Sequence, residues 1–369
     1  MFNLRKKSFK KFDFILLITA ILLSIYGLVI IYSATYNMEN IRFVRTQGIS
    51  TLIGLFAILI LVFFDFQFLG KLYIPIYLLS VGLLVAVLVL GVGDDQWGAR
   101  SWLYIGGFGF QPAEFVKVGL IISLAKYMDK HKEDINSPFV LIKTLLMAFI
   151  PVVLILLQPD AGTAMVFIFF IAAMLFVAGV KWRYILMAFT IGILSLPVIW
   201  MRLDQFQRER IFNFLDPERD TSNTGFQALQ GRIAIGSGKI FGRGFLEGTQ
   251  TQFNYIPEKQ TDFIFAVLVE EFGFLGGAFL ILLYFILLSR IIRIARNSQD
   301  KFGSFMSIGL AAMFLFHIWE NIGMTIGLMP ITGIPLPFMS YGGTFQLINL
   351  VSIGIILSVG LHREGLSFE

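Results

Sequence analysis

Ten separate apolar stretches, most of them close to 20 residues long, dominate this 369-residue chain and leave little sequence for anything else. A helix rises 1.5 Å per residue, so about 20 apolar residues cross the hydrocarbon layer of a bilayer. The stretches are Phe14–Tyr32, Thr46–Phe64, Tyr73–Gly91, Ala113–Lys126, Leu141–Leu157, Thr163–Val180, Tyr184–Met201, Phe263–Ser289, Ser304–Leu328 and Phe345–Leu361, the fourth being short. Only 14% of the residues are charged, against about 25% in a soluble domain. The sequence therefore predicts an all-α integral membrane protein. It would be one domain over residues 1–369, a polytopic bundle of about ten transmembrane helices with one long extracellular loop at 202–262.

Charge placement sets the orientation. The net charge of +5 lies in the gaps between apolar runs, which fits membrane topology rather than a nucleic-acid surface. With the N-terminus inside, the cytoplasmic segments hold 17 Lys and Arg, while the short external segments hold Arg42, Arg45 and Arg100. Both termini are expected in the cytoplasm. Arg5, Lys6, Lys7, Lys10 and Lys11 precede a run too long for a signal peptide, so a retained first helix is expected. The chain has no cysteine, which excludes disulfides, thiolate nucleophiles and Cys-ligated metals.

The long loop balances eight basic residues, among them Arg210, Lys239 and Arg243, against eight acidic ones. Its stretch GSGKIFGRGFLEGTQ (Gly236–Gln250) either lets backbone approach a ligand or is simply flexible.

Ionisable residues within or at the ends of apolar runs are the remaining signal, because each costs about 2.5–3.5 kcal/mol at the centre of a span. Glu114 and Lys117 share one helix face, as a functional pair or a structural ion pair. Asp160, in QPDAGT, is an external acid or an ordinary N-cap. Asp262 is expected at the external mouth of the eighth span, again a site acid or a first-turn acid. Glu270 and Glu271 are expected about two turns deeper and need partners. His317 and Glu320 form a metal site or a buried hydrogen-bonded pair. Three prolines and four glycines in GLMPITGIPLPFMSYGG (Gly327–Gly343) break the last two spans apart. Such backbone forms a re-entrant loop lining a cavity or an ordinary external connection.

Five of these segments, in order, resemble the SEDS family (shape, elongation, division and sporulation). They are SWLYIGGFGFQPAEFVK (Ser101–Lys117), QPDAGT (Gln158–Thr163), the glycine-rich stretch, PEKQTDFIFAVLVEE (Pro257–Glu271) and GMTIGLMPITGIPLPFMSYGG (Gly323–Gly343). The wording MPITGIPLPF is similar to the elongation branch rather than the division branch. Gln260 stands where the family often has His, and Thr344 where it commonly has Ser. The resemblance implies a bacterial plasma-membrane peptidoglycan glycosyltransferase that polymerises lipid II at the outer face and releases undecaprenyl pyrophosphate. It carries the essential acid onto Asp262, marks Glu114, Lys117 and Asp160 as near the cavity, and implies a class B penicillin-binding protein as partner.

The residues permit an inverting transfer in which Asp262 takes the proton of an attacking sugar hydroxyl. Cations must then meet the leaving diphosphate. Arg100, Lys117, Arg210, Lys239 and Arg243 are the candidates, with Ser340 in the glycine-proline break completing the expected substrate-binding set and Mg²⁺ or Mn²⁺ as a possible bridging cofactor. A lipid II flippase and a non-enzymatic scaffold are the rival expectations. A carrier, however, places its polar groups near the midplane.

Overall fold

A computed structural model describes residues 12–38, 41–93, 101–105, 108–202, 205–220 and 224–362. Arg5, Lys6, Lys7, Lys10, Lys11, Arg100 and Arg363 lie outside the described residues. The helices are α1 (Phe14–Thr35), α2 (Arg42–Phe63), the short α3 (Gln67–Lys71), α4 (Tyr73–Leu90), α5 (Pro112–Lys130), α6 (Pro138–Leu156), α7 (Ala161–Val177) and α8 (Trp182–Arg202). They continue with α9 (Gln205–Leu215), α10 (Thr224–Gly238), the one-turn α11 (Thr249–Gln252), α12 (Ile264–Asn297), α13 (Lys301–Thr325) and α14 (Gly343–Leu361). A small antiparallel hairpin, β1 (Leu103–Ile105) and β2 (Phe108–Phe110), leads into α5.

A helix covers each of the ten apolar stretches. Seven of them are long and apolar enough to cross a membrane: α1, α2, α4, α6, α12, α13 and α14. Of the others, α7 is apolar but shorter, and α8 is apolar over Trp182–Ser195. The fourth stretch is longer than its apolar core suggests, because α5 opens with Pro112 in its first turn and runs 19 residues to Lys130.

Side chains start several helices where the sequence offers a cap. Asp13 accepts the N–H of Leu16 at 3.0 Å, Asp160 that of Thr163 at 2.9 Å, and Ser137, followed by Pro138, opens α6. Burial then ranks the helices. In their most apolar windows 72% of α13 and 83% of α14 is buried, against 17% of α4 and 22% of α2, so α13 and α14 form the centre. Glycines let the central helices close up. A methyl group on Gly309 of α13 would lie 2.7 Å from both Ile121 of α5 and Met174 of α7.

One helix departs from the expected straight span. Gly273 of α12 has φ 67° and ψ −165°, outside helical geometry. A methyl on Gly277 would sit 3.1 Å from Val269 and 3.7 Å from the ring of Phe265. Those residues would be about 12 and 18 Å from it along a straight helix. The limb 264–272 therefore folds sharply back on the limb 274–297. Every residue from Ile264 to Glu271 is buried, as befits a limb packed in protein on all sides.

The bend reverses the expected depth order. Arg290 binds Asp13 at the start of α1, with its Nε 3.1 and 3.0 Å from the two carboxylate oxygens, while Glu271 accepts from Ser33 near the other end of α1. Thr261 is bonded instead to the 327–342 connection through Ser340 Oγ at 2.6 Å, and that connection packs its Phe338–Met339 backbone on Gly27. Gly27 lies about 9 Å further along α1 from Ser33. Glu271 is thus nearer the loop face than Thr261, not two turns deeper.

The break in α12 is filled by the glycine-rich stretch. The N–H groups of Phe274 and Leu275 donate to the carbonyls of Lys239 (2.8 Å) and Ile240 (3.2 Å). The carbonyls of Glu270 and Glu271 accept from the N–H groups of Arg243 (3.0 Å) and Gly244 (3.1 Å). Two helical rungs are replaced by four bonds to the loop, which satisfies backbone that lipid could not. Glu270 and Glu271 also find their partners here. The Glu270 carboxylate accepts from the N–H of Gln250 (2.7 Å), the N–H of Thr251 (3.0 Å) and the Thr251 hydroxyl (2.7 Å), at the start of α11.

Candidate active site

The turn before α12 and the connection between α13 and α14 face each other across the loop end of the bundle. Residues 326–342 contain no helix or strand, so their polar backbone needs side-chain partners. Tyr284 donates to the Pro337 carbonyl at 2.6 Å, and the Ser340 hydroxyl accepts the N–H of Leu336 at 2.8 Å. Gln47 of α2 brackets the turn, donating to the Ser340 carbonyl (3.2 Å) and accepting the N–H of Gly342 (3.0 Å). With its Phe338 carbonyl against Gly27, the connection enters the bundle, as a re-entrant segment would.

Asp262 stands at this junction, partly exposed. Its backbone carbonyl accepts from Asn321 Nδ2 at 2.9 Å, and the same nitrogen donates to the Ile334 carbonyl at 2.8 Å. A methyl on Gly333 would approach the Asp262 carboxylate at 3.6 Å. Burial, and then the neighbouring charge of Glu258, push the Asp262 carboxyl up to about 7, with Arg210 opposing. Arg210 comes from α9, where its Nη1 donates to the Thr332 carbonyl at 3.3 Å. Burial lowers its pKa, and the charges of Asp262 and Asp160 oppose that shift. Asp160 is therefore both the cap of α7 and one of the two acids facing Arg210.

Lys117 occupies a different setting. Its ammonium, 1% exposed, lies 2.9 Å from each Glu114 oxygen and 2.9 Å from His317 Nε2. His317 Nδ1 faces the Pro335 carbonyl at 3.1 Å, so Nδ1 carries the hydrogen and Nε2 accepts from Lys117. Glu320 accepts instead from the Thr332 hydroxyl at 2.8 Å. His317 and Glu320 are thus hydrogen-bonded separately rather than to each other.

The structure brings Asp262, Arg210, Asp160 and the Ser340 turn together, and joins Glu114 and Lys117 to the same connection through His317. Lys239 and Arg243 lie elsewhere. Their backbones bond on either side of Gly273, at Glu270 and Phe274, with Glu270 about 12 Å along the first limb of α12 from Asp262. Arg100 is outside the described residues. Sequence reasoning passed over Asn321, Thr332 and Gln47. A third polar residue beside His317 and Glu320 in an otherwise apolar helix was the available signal for Asn321.

Residues 13–365 match the cell cycle protein family that groups FtsW, RodA and SpoVE. The chain belongs to that family. It is 36% identical to the probable peptidoglycan glycosyltransferase FtsW of Trichlorobacter lovleyi, over 97% of this chain and 96% of that protein. It is 37% identical to the peptidoglycan glycosyltransferase MrdB of Escherichia coli K12, over 79% and 78% of the two chains. Overall identity thus does not separate the branches. The fold matches a chain of a solved peptidoglycan synthase complex that coordinates polymerization and crosslinking, with TM-score 0.82, 32% identity, and 95% and 98% coverage. The protein is a multi-pass membrane protein of this family.

Proposed function

We propose that the chain is a peptidoglycan glycosyltransferase that polymerises lipid II at the outer face of the bacterial plasma membrane during cell elongation. Both termini lie in the cytoplasm, so the face carrying α9–α11 is outside. Asp262 is the general base. The observation that carries this reading is a carboxyl raised to about 7 beside a guanidinium, at the junction of the long loop and the re-entrant connection. Related chains of the same length are named for this activity.

Asp262 takes the proton from the acceptor sugar hydroxyl as its oxygen bonds to the anomeric carbon of the donor. The carbon–oxygen bond to undecaprenyl pyrophosphate breaks on the opposite face, inverting the centre. Arg210 offsets the charge that develops on the diphosphate. Among the described residues no three His, Asp or Glu side chains cluster to hold an ion. The described donors alone do not make a closed divalent-cation site, and no step is assigned to such an ion. The expected partner is a class B penicillin-binding protein, whose transpeptidase crosslinks the new strand, in keeping with the complex that this fold matches.

The test is Asp262→Asn, purified with its partner and supplied with lipid II. A folded variant that makes no glycan supports the assignment; normal polymerisation by that variant overturns it.

A further inference from the structure

We infer that Asn321 is a positioning residue that fixes Asp262 against the Gly333–Ile334 wall of the re-entrant connection. The inference rests on the assignment of Asp262 as the general base.

Three side chains on one face of α13 grip the connection at successive points. His317 holds the Pro335 carbonyl, Glu320 the Thr332 hydroxyl and Asn321 the Ile334 carbonyl. Their spacing, i, i+3 and i+4, places them side by side on the helix. Of the three, Asn321 alone also reaches across to the turn that carries the acid, through the Asp262 carbonyl. A single NH₂ group therefore spans the gap between the base and the facing wall. Both contacted atoms are carbonyl oxygens, so the bonding itself fixes which end of the amide is the nitrogen.

The residue type fits that task. Two converging acceptors need two hydrogens on one nitrogen, and a neutral group avoids placing a second charge beside Asp262 and Arg210. Asn321 is fully buried, and its Oδ1 has no hydrogen-bond partner. An unsatisfied buried acceptor is unfavourable, and a buried leucine would carry none. What the amide supplies here is its pair of donors, which a buried leucine would lack. A base must sit within hydrogen-bond reach of the hydroxyl it deprotonates, and a shift of about 1 Å costs on the order of 10²-fold in rate.

The experiment compares Asn321→Leu, which keeps the branched shape and removes both donors, with wild type, Asp262→Asn and Asn321→Gln, in complex with the partner and with lipid II as substrate. Asn321→Gln keeps the amide but displaces it by one methylene, and it is the variant read if Asn321→Leu does not fold. The expected result is a kcat lower by on the order of 10²-fold with KM within about twofold. The acid limb of the pH–rate profile should also move, because the carboxyl is displaced relative to Glu258, Arg210 and Asp160. Wild-type kcat in either folded variant overturns the inference. So does a loss that follows melting temperature alone, with the acid limb unmoved, since a merely structural residue would give that. Full activity in Asp262→Asn would instead remove the base assignment itself, whatever Asn321 does.

Discussion

Phe274 donates its backbone N–H to the carbonyl of Lys239 at 2.8 Å, in place of Glu270 four residues before it. A loop from 35 positions upstream in sequence thus completes the hydrogen bonding of a bent apolar helix. The bend depends on Gly273, whose φ and ψ are open essentially to glycine alone.

Gly273→Ala should therefore destabilise the protein by about 1–3 kcal/mol from backbone strain, and by more where the new methyl meets Gly242 and Ile240. Thermal melting in detergent measures this. Gly236→Ala, in the same glycine-rich stretch but with nothing within 4 Å of the added methyl, should melt as wild type.

Activity should fall as pH drops through about 7, because the base must be ionised and Asp262 is held up to about 7. The stability consequence has the opposite sign. A carboxyl raised from 3.8 holds its proton in the folded state where the unfolded chain has lost it, so ionisation above about 7 opposes folding. Asp262→Asn should be inactive and yet melt at or above the wild-type temperature at pH 8.

Lys117→Met leaves the Glu114 carboxylate buried without its cation, which costs about 3–5 kcal/mol when one partner of a buried pair is removed. Adding Glu114→Gln should restore much of the lost melting temperature. If the double variant folds but does not polymerise lipid II, the Glu114–Lys117 pair acts on substrate as well as on structure.

Glu270→Gln turns an NH₂ toward the N–H groups of Gln250 and Thr251, or leaves one of them unmet. The loss of about 1–3 kcal/mol of local anchoring should expose the loop to trypsin at Lys239 and Arg243, seen as faster cleavage without a large change in global melting.

The helical membrane bundle was legible because hydrophobic length is a local property, readable wherever the run occurs. Asp262 was legible for a related reason, as an acid at the end of an apolar run. The bend at Gly273 was not. EEFGFLGG reads as a tolerable helix with glycines, and what decides its geometry is a set of carbonyls and N–H groups at Lys239–Gly244. The depths of Glu270 and Glu271 were misread for the same reason, since counting 1.5 Å per residue assumes a straight helix. Lys239 and Arg243 read as diphosphate candidates on charge, but a loop's charges cannot be placed until its backbone partners are known. Asn321 carried no local motif, because both of its acceptors come from other parts of the chain.

The four bonds between 239–244 and 270–275 make the outer loop and the bilayer-embedded helix a single folding unit. A soluble fragment cut from residues 205–262 would surrender the pairing that shapes its glycine-rich half. A shortened chain without that stretch would leave two amides and two carbonyls of α12 without their partners. Swapping this loop between relatives should succeed only when the first limb of α12 travels with it.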